Sequence, residues 1–228
     1  MLTGAGISTE SGIPDFRSPE GIWSEVDPFA VASIQAFRRS PERVWGFYRE
    51  RIRLLVDAEP NAGHHALAEL ERRGLVRAVV TQNIDTLHSR AGSRDVVEVH
   101  GSIRSAACPQ CLWTEGTEEV LAQLEERTAP LCVRCGEVLK PSVTLFGELL
   151  PAEAIERATE LARAAELMLV VGSSLEVWPV AGLPLEAHSL AIVNQGVTAL
   201  DGRALLKIDA PAGATLTAVL VELSRASP

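Results

Sequence analysis

No stretch of about 18 apolar residues occurs in the 228-residue chain, so no segment reads as a membrane-spanning helix. The N-terminus lacks the basic region and apolar core of a secretory signal. The expected location is therefore cytoplasmic. Positive charge is in short supply, with a formal net charge of −9. Nucleic acid and anionic lipid are themselves negative, so no direct nucleic-acid or membrane partner is expected. Basic protein tails stay available as partners. Repeats, low-complexity tracts and linkers are missing as well. What remains is an ordinary globular composition, 46% apolar and 22% charged. Its length suffices for one core, or one core plus a small module.

Cysteine is scarce too, and all four fall in one pattern. Cys108-x-x-Cys111 and Cys132-x-x-Cys135 have 20 residues between them. Two such knuckles suit Zn²⁺ held by four thiolates. Two disulfides would call for a secreted chain, and a redox pair has no need of a duplicate. Four thiolates close the coordination sphere and leave no place for water, so one structural zinc ion is expected.

Short apolar runs at residues 75–80, 167–171 and 190–193 read as strands buried on both faces of a parallel sheet. Helical stretches at 62–73 and 151–165 alternate with them. The order implies a doubly wound α/β fold with a small zinc-binding module inserted. Each strand runs into polar or glycine-rich residues: Gly4-Ala5-Gly6, Gln82-Asn83-Ile84-Asp85, Gly172-Ser173-Ser174 and Asn194. Ligands of such sheets bind at the carboxyl ends of the strands, so these segments should converge on one nucleotide. Only two or three residues precede Gly4, which implies a shortened first strand or a chain that begins upstream.

Taken singly, the motifs are ambiguous. Gly4-x-Gly6 serves a pyrophosphate loop or a plain turn equally well, and no glycine follows three residues after Gly6. That gap disfavours an ordinary nicotinamide dehydrogenase. Asn83 and Asp85 face one side of an extended segment and suit ribose hydroxyls or an amide, but they also suit helix caps. His100 ends a probable strand beside Gly101, where an imidazole can act as a general base. His64 and His65 read as helix-start residues, His88 as structural and His188 as surface.

Read in order, the pieces resemble the sirtuin family. They are Gly4-Ala-Gly-Ile-Ser8, Ser11-Gly-Ile-Pro-Asp-Phe-Arg17, Thr81-Gln-Asn-Ile-Asp85, Val99-His-Gly101, both cysteine pairs, Lys140-Pro141 with Phe146-Gly-Glu148, and Gly172-Ser-Ser174. The resemblance covers nearly the whole chain. It implies a Rossmann-like NAD-binding domain over 1–102 and 144–228 and a zinc module over 103–143. A helical part near 28–60 would contribute to the small domain. It also implies an NAD-dependent protein-lysine deacylase that releases nicotinamide and 2′-O-acyl-ADP-ribose. NAD is consumed, and acyl-lysine proteins or peptides are the partners.

Roles follow from the same resemblance. Gly4, Ala5, Gly6 and Ile7 would cradle the pyrophosphate. Asp15, Phe16 and Arg17 would form the cofactor loop, with Phe16 shielding the reactive ribose. Gln82 and Asn83 would hold the nicotinamide ribose, and Ile84 and Asp85 the carboxamide. Gly172, Ser173, Ser174, Asn194, Gln195 and Gly196 would hold the adenosine half, with Ala212 at the adenine. His100 would be the base, with Asn83 assisting. Residues 143–146, including Val143 and Phe146, and the loop after Ser174 would pair with the peptide as an added strand.

Tyr48 and Arg51 lie three apart on a helix expected over 41–56, following Gly21-Ile-Trp23. The pair resembles the sirtuin subgroup that removes malonyl and succinyl groups, with Ala32 making room. The other reading is a solvated basic face among Arg43, Arg49 and Arg53. Three other functions compete: mono-ADP-ribosyl transfer, a non-enzymatic NAD-sensing module, and an NAD(P)H oxidoreductase. The sequence leaves the oligomeric state open, monomer included.

Overall fold

Side-chain capping starts most of the helices that border the site. The computed structural model describes residues 1–226. After strand β1 (Leu2–Thr3), helix α1 (Pro28–Val31) begins where Asp27 accepts the Phe29 N–H ahead of the main helical run. Ser33 caps α2 (Ile34–Arg39) in the same way, through the Ala36 N–H. The long α3 (Pro41–Asp57) follows, with proline at its first position. Helix α4 (Ala62–Arg72) opens on a reciprocal box: Asn61 accepts the Gly63 and His64 N–H groups, and His64 Nδ1 accepts the Asn61 N–H.

Then come β2 (Val79–Thr81), α5 (Leu87–Arg90), β3 (Val96–Glu98), β4 (Gly101–Ala107), β5 (Thr114–Gly116), α6 (Thr117–Glu126) and β6 (Lys140–Val143). The chain ends with α7 (Ala152–Arg163), β7 (Leu167–Val171), β8 (Ser189–Val193), β9 (Leu206–Ile208) and α8 (Ala212–Ala226).

Six strands form one parallel sheet in the order β3-β2-β1-β7-β8-β9. The winding runs outward from β1 on one side and outward from β7 on the other. Their junction is the switch point at which such sheets bind ligands. Period-two alternation explains why both faces are apolar. In β7, Met168 and Val170 join a core with Ala158 and Ala162 of α7. Val171 joins Leu67 and Leu70 of α4 and Leu216 of α8 on the other face.

A second sheet, β5-β4-β6, is antiparallel. It shares a third core with α3: Trp45, Tyr48, Ile52 and Leu55 cluster with Cys108, Cys132, Val120 and Leu139. Trp45 Nε1 donates to the Leu139 carbonyl at 2.7 Å, fixing α3 to the cysteine-bearing segment. Among the described residues, no helix is long and apolar enough to cross a membrane.

One strand is shorter than expected. The run at 75–80 contributes only from Val79 onward, because the N–H groups of Leu75 and Val76 both bond to the Leu70 carbonyl. Gly74, at φ 74°, turns the chain off α4 in the left-handed conformation that ends many helices. That termination consumes Leu75, whose side chain is 57% exposed.

Candidate active site

The ends of β1, β2, β7 and β8 open into one cavity of about 640 Å³, which reaches across to α3 and the segment after β6. The loops after β1 and β7 interlock at its base. The Gly6 N–H donates to the Gly172 carbonyl at 2.8 Å. A Cβ on Gly6 would lie 2.8 Å from Gly172 Cα, and one on Gly172 would lie 2.2 Å from the Ile7 nitrogen. These glycines are therefore required by loop-on-loop contact, in addition to any ligand approach.

Beneath this base lies a buried polar network. Ser8, 1% exposed, donates its hydroxyl proton to Asp85 Oδ2 at 2.7 Å. It accepts from Asn83 Nδ2 at 3.1 Å. His64 Nδ1 already accepts from Asn61, so Nε2 carries the proton toward Ser8 at 3.5 Å. Asn83 Nδ2 also donates to the Gly4 carbonyl at 3.1 Å. Both amide protons are thereby engaged, and Asn83 is left with a carbonyl oxygen to offer a ligand. Burial raises the Asp85 pKa, against the Ser8 and Leu87 hydrogen bonds that lower it. His88 continues the network through Thr3 Oγ1 at 2.9 Å and Thr81. Burial pushes the His64 pKa down to about 4 and that of His88 down to about 3, each helped by a neighbouring histidine.

His100 sits between β3 and β4. Its Nδ1 lies 3.0 Å from the Gln82 carbonyl, which can only accept, so Nδ1 carries the proton. Nε2 is then the basic nitrogen, on a ring that lines the cavity. Burial lowers the His100 pKa, outweighing the stabilisation that the Gln82 carbonyl gives the cation. The imidazole is thus neutral and able to take a proton at neutral pH.

Nearly all the residues expected at the site meet here. Gly4, Ala5, Gly6, Asp15, Phe16, Arg17, Gln82, Asn83, Ile84 and His100 line the cavity. So do Gly172, Ser173, Ser174, Asn194, Gln195, Gly196 and Ala212, and on the far side Tyr48, Arg51, Val143 and Phe146. Asp15 Oδ1 accepts the N–H groups of Arg17 and Ser18, shaping the loop that carries Phe16. Gln82 donates to Ser173 Oγ at 2.9 Å, tying the two ribbon ends together.

Three of the expected site segments are placed differently from the rest. Ile7 does not line the cavity; its side chain is fully buried in the core with Leu67 and Leu216. Asp85 is not among the lining residues either; its carboxylate accepts from Ser8 and from the Leu87 N–H. An added strand along residues 143–146 would have to bond through groups other than three of its N–H groups. The N–H groups of Thr144, Leu145 and Phe146 are taken by the His100 carbonyl, Glu148 and the Ala32 carbonyl.

Sequence reasoning missed Ser8 as the centre of the network, and it missed the aromatic wall. Trp23 stacks on Phe16 at 5.2 Å and on Phe47 at 5.8 Å. Phe47 precedes Tyr48 on α3, and that adjacency was the available signal. The Lys140–Glu148 pair, at 2.9 Å, was part of the recognised motifs without a role. It braces the segment after β6, with Lys140 also bonded to the carbonyls of Pro141 and Val143.

The four cysteines lie away from the cavity lining, with all Sγ atoms within 4.8 Å of one another. Three of the separations are 3.4, 3.5 and 3.6 Å. Four thiolates around zinc at 2.3 Å would stand about 3.8 Å apart, so the donor set fits a tetrahedral ion after slight expansion. All four are free of disulfide bonds.

The Sir2 family profile matches residues 4–179. An NAD-dependent protein deacetylase of Sulfurisphaera tokodaii is 48% identical over 204 residues, covering 88% of this chain and 80% of the relative. A Sir2 structure with a p53 peptide and NAD⁺ superposes with a TM-score of 0.90 at 41% identity, covering 99% of this chain and 92% of that one. A Sir2 variant with a deacetylated p53 peptide and 3′-O-acetyl ADP-ribose gives a TM-score of 0.93 at 43% identity, covering 97% and 91%. With its parallel sheet, its four-thiolate cluster and these relatives, the chain belongs to the Sir2 family.

Proposed function

We propose that the cavity takes NAD at the glycine loops and an acyl-lysine side chain from the α3 side, and transfers the acyl group to ADP-ribose. The chain is an NAD-dependent protein deacylase. Zinc is held by Cys108, Cys111, Cys132 and Cys135 and has a structural role, because four thiolates leave no open position. Bound NAD supplies an electrophilic ribose carbon with nicotinamide as its leaving group. The protein's part is to orient that carbon, exclude water and move one proton.

The observation that carries the reading is His100. Its Nδ1–H is held by the Gln82 carbonyl, so Nε2 is presented to the cavity unprotonated, ready to accept a proton from a ribose hydroxyl. Asn83, fixed by Gly4 and Ser8, offers its carbonyl oxygen to the same ribose. Phe16 would cover the reacting carbon and keep water out once nicotinamide has left. On this reading residues 103–143 form the zinc module and the rest the NAD-binding domain, with α3 serving both.

Mass analysis separates this reading from ADP-ribosyl transfer. An acetyl-lysine peptide with NAD is expected to yield O-acetyl-ADP-ribose and free lysine peptide. ADP-ribose attached to protein, with the peptide still acetylated, would assign the transferase activity instead.

A second reading concerns the acyl group. Tyr48 and Arg51 share one face of α3 and line the cavity beside Ala32. Among the described residues Arg51 has no carboxylate partner, although burial depresses its pKa. A partly buried guanidinium without an anion suits an acyl chain ending in a carboxylate, such as succinyl or malonyl. The neutral Tyr48 hydroxyl, its pKa raised by burial, would add a donor. Wild type should then favour succinyl-lysine over acetyl-lysine in kcat/KM, and Arg51→Met should lose that preference. Equal loss on both substrates would reduce Arg51 to a structural role.

A further inference from the structure

We infer that Arg51 is a positioning residue that couples the acyl pocket to the cofactor loop, holding Phe16 by a cation–ring contact while its N–H groups stay open to the acyl carboxylate. The guanidinium carbon lies 5.1 Å from the Phe16 ring centroid and 5.4 Å from that of Phe47. Phe16 in turn stacks on Trp23 at 5.2 Å. Backbone bonds from the Ile22 and Trp23 N–H groups to the Asp15 and Phe16 carbonyls, both 3.0 Å, fix the loop's main chain but not the Phe16 ring. Asp15 shapes the loop locally, and the Arg17–Glu176 contact is 3.6 Å long between exposed groups. Contacts of that exposed kind contribute little. The cation beside Phe16 and Phe47 is a direct side-chain link between this stretch of loop and α3, alongside the Phe16–Trp23–Phe47 stack.

A guanidinium bonds carboxylates through its in-plane N–H groups and can meanwhile lie against aromatic rings, so contact with Phe16 need not use up its N–H donors. Among the described residues no acceptor takes its in-plane N–H groups. A carboxylate arriving there would fix the guanidinium plane, and with it Phe16 over the site where NAD reacts. An acidic acyl group would then order the loop better than an acetyl group can. Only this last step rests on the succinyl reading; the hold on Phe16 does not.

Limited trypsin cleavage after the exposed Arg17 reports loop order directly, with cleavage sites identified by mass. Without peptide, Arg51→Met should speed that cleavage about three- to tenfold and raise KM for NAD on an acetyl-lysine peptide by a similar factor, with kcat changed less. Arg51→Lys keeps a cation over the rings and should restore part of both effects. In a Phe16→Leu background, Arg51→Met should add nothing further. Unchanged cleavage and KM in Arg51→Met, or an undiminished effect in the Phe16→Leu background, would overturn the hold on Phe16. In wild type, a succinyl-lysine peptide should protect Arg17 more than the acetyl-lysine peptide does. Equal protection by two peptides that are both turned over would overturn the coupling and leave the acyl reading standing. A succinyl-lysine peptide that is not turned over would remove the acyl reading and the coupling together, and the acetyl arm would still decide the hold on Phe16.

Discussion

The ground beneath Asn83 and the wall made by α3 border the same cavity, yet their polar groups are treated in opposite ways. Under Asn83, Ser8, Asp85, His64, Thr3, Thr81 and His88 bond chiefly to one another. On α3, Arg51 rests on aromatic rings, and Tyr48 has no hydrogen-bond partner among the described residues. A mostly self-bonded network of short side chains, with His88 Nδ1 left without a partner, holds a reactive geometry in place before the ligand arrives. Open groups on an aromatic wall wait for the ligand to satisfy them. On the proposed reading, the first half serves the common chemistry of the reaction and the second the choice of acyl chain.

The strongest way to break this comparison is to remove the zinc. Helix α3 shares its core with Cys108 and Cys132, so the α3 wall depends on the four-thiolate cluster and the glycine loops do not. Structural zinc binding contributes about 10–16 kcal/mol to folding in small zinc domains. Chelation, or Cys108→Ser, is expected to abolish deacylation and melt the small sheet, while circular dichroism retains much of the parallel-sheet signal. A purified protein with no zinc that is folded and active would refute the assignment.

Acid should act on the other half. The folded pKa values of His64 and His88 lie near 4 and 3, below the usual value of about 6.5 for an unfolded histidine. The unfolded chain therefore binds more protons between those values. The contribution to stability is complete above about pH 6.5 and falls as pH drops toward 4. Each histidine should cost up to about 2 kcal/mol between pH 7 and pH 5, read from urea midpoints. His88→Phe should flatten that slope; an unchanged slope would count against the buried neutral pair.

A smaller and sharper contrast pairs two hydroxyl deletions. Ser8→Ala strands Asp85, His64 and the Asn83 amide, and should lower stability by about 1–3 kcal/mol. Tyr48→Phe removes a hydroxyl with no internal partner and should cost under about 1 kcal/mol. Equal costs would mean that the two walls do not differ in the way described.

Much of this was legible in the sequence, for identifiable reasons. The cysteine spacing dictates a four-thiolate site, and the apolar runs ending in Gly-Ser or Gln-Asn dictate strands that converge on a ligand. The inclusion of Ala212 in the cavity lining came from resemblance alone, since no local pattern points to it. What sequence could not reveal was pairing across distance. Ser8 reaches Asp85 across 77 positions and Trp45 reaches Leu139 across 94, and no local spacing encodes either. The shortened strand at 75–80 failed for the opposite reason. Its composition suits a strand, but the left-handed turn at Gly74 uses Leu75 and Val76 to finish α4.

The most direct test of the account is a single turnover with enzyme in excess over an acetyl-lysine peptide and NAD. Wild type is expected to give nicotinamide, free lysine peptide and O-acetyl-ADP-ribose in equal amounts. Attack by the acyl oxygen needs no base, so His100→Ala should still release nicotinamide while peptide deacylation slows by about 10²–10⁴-fold. Full deacylation at the wild-type rate by His100→Ala, or nicotinamide release from wild type without any acyl-ADP-ribose, would contradict it.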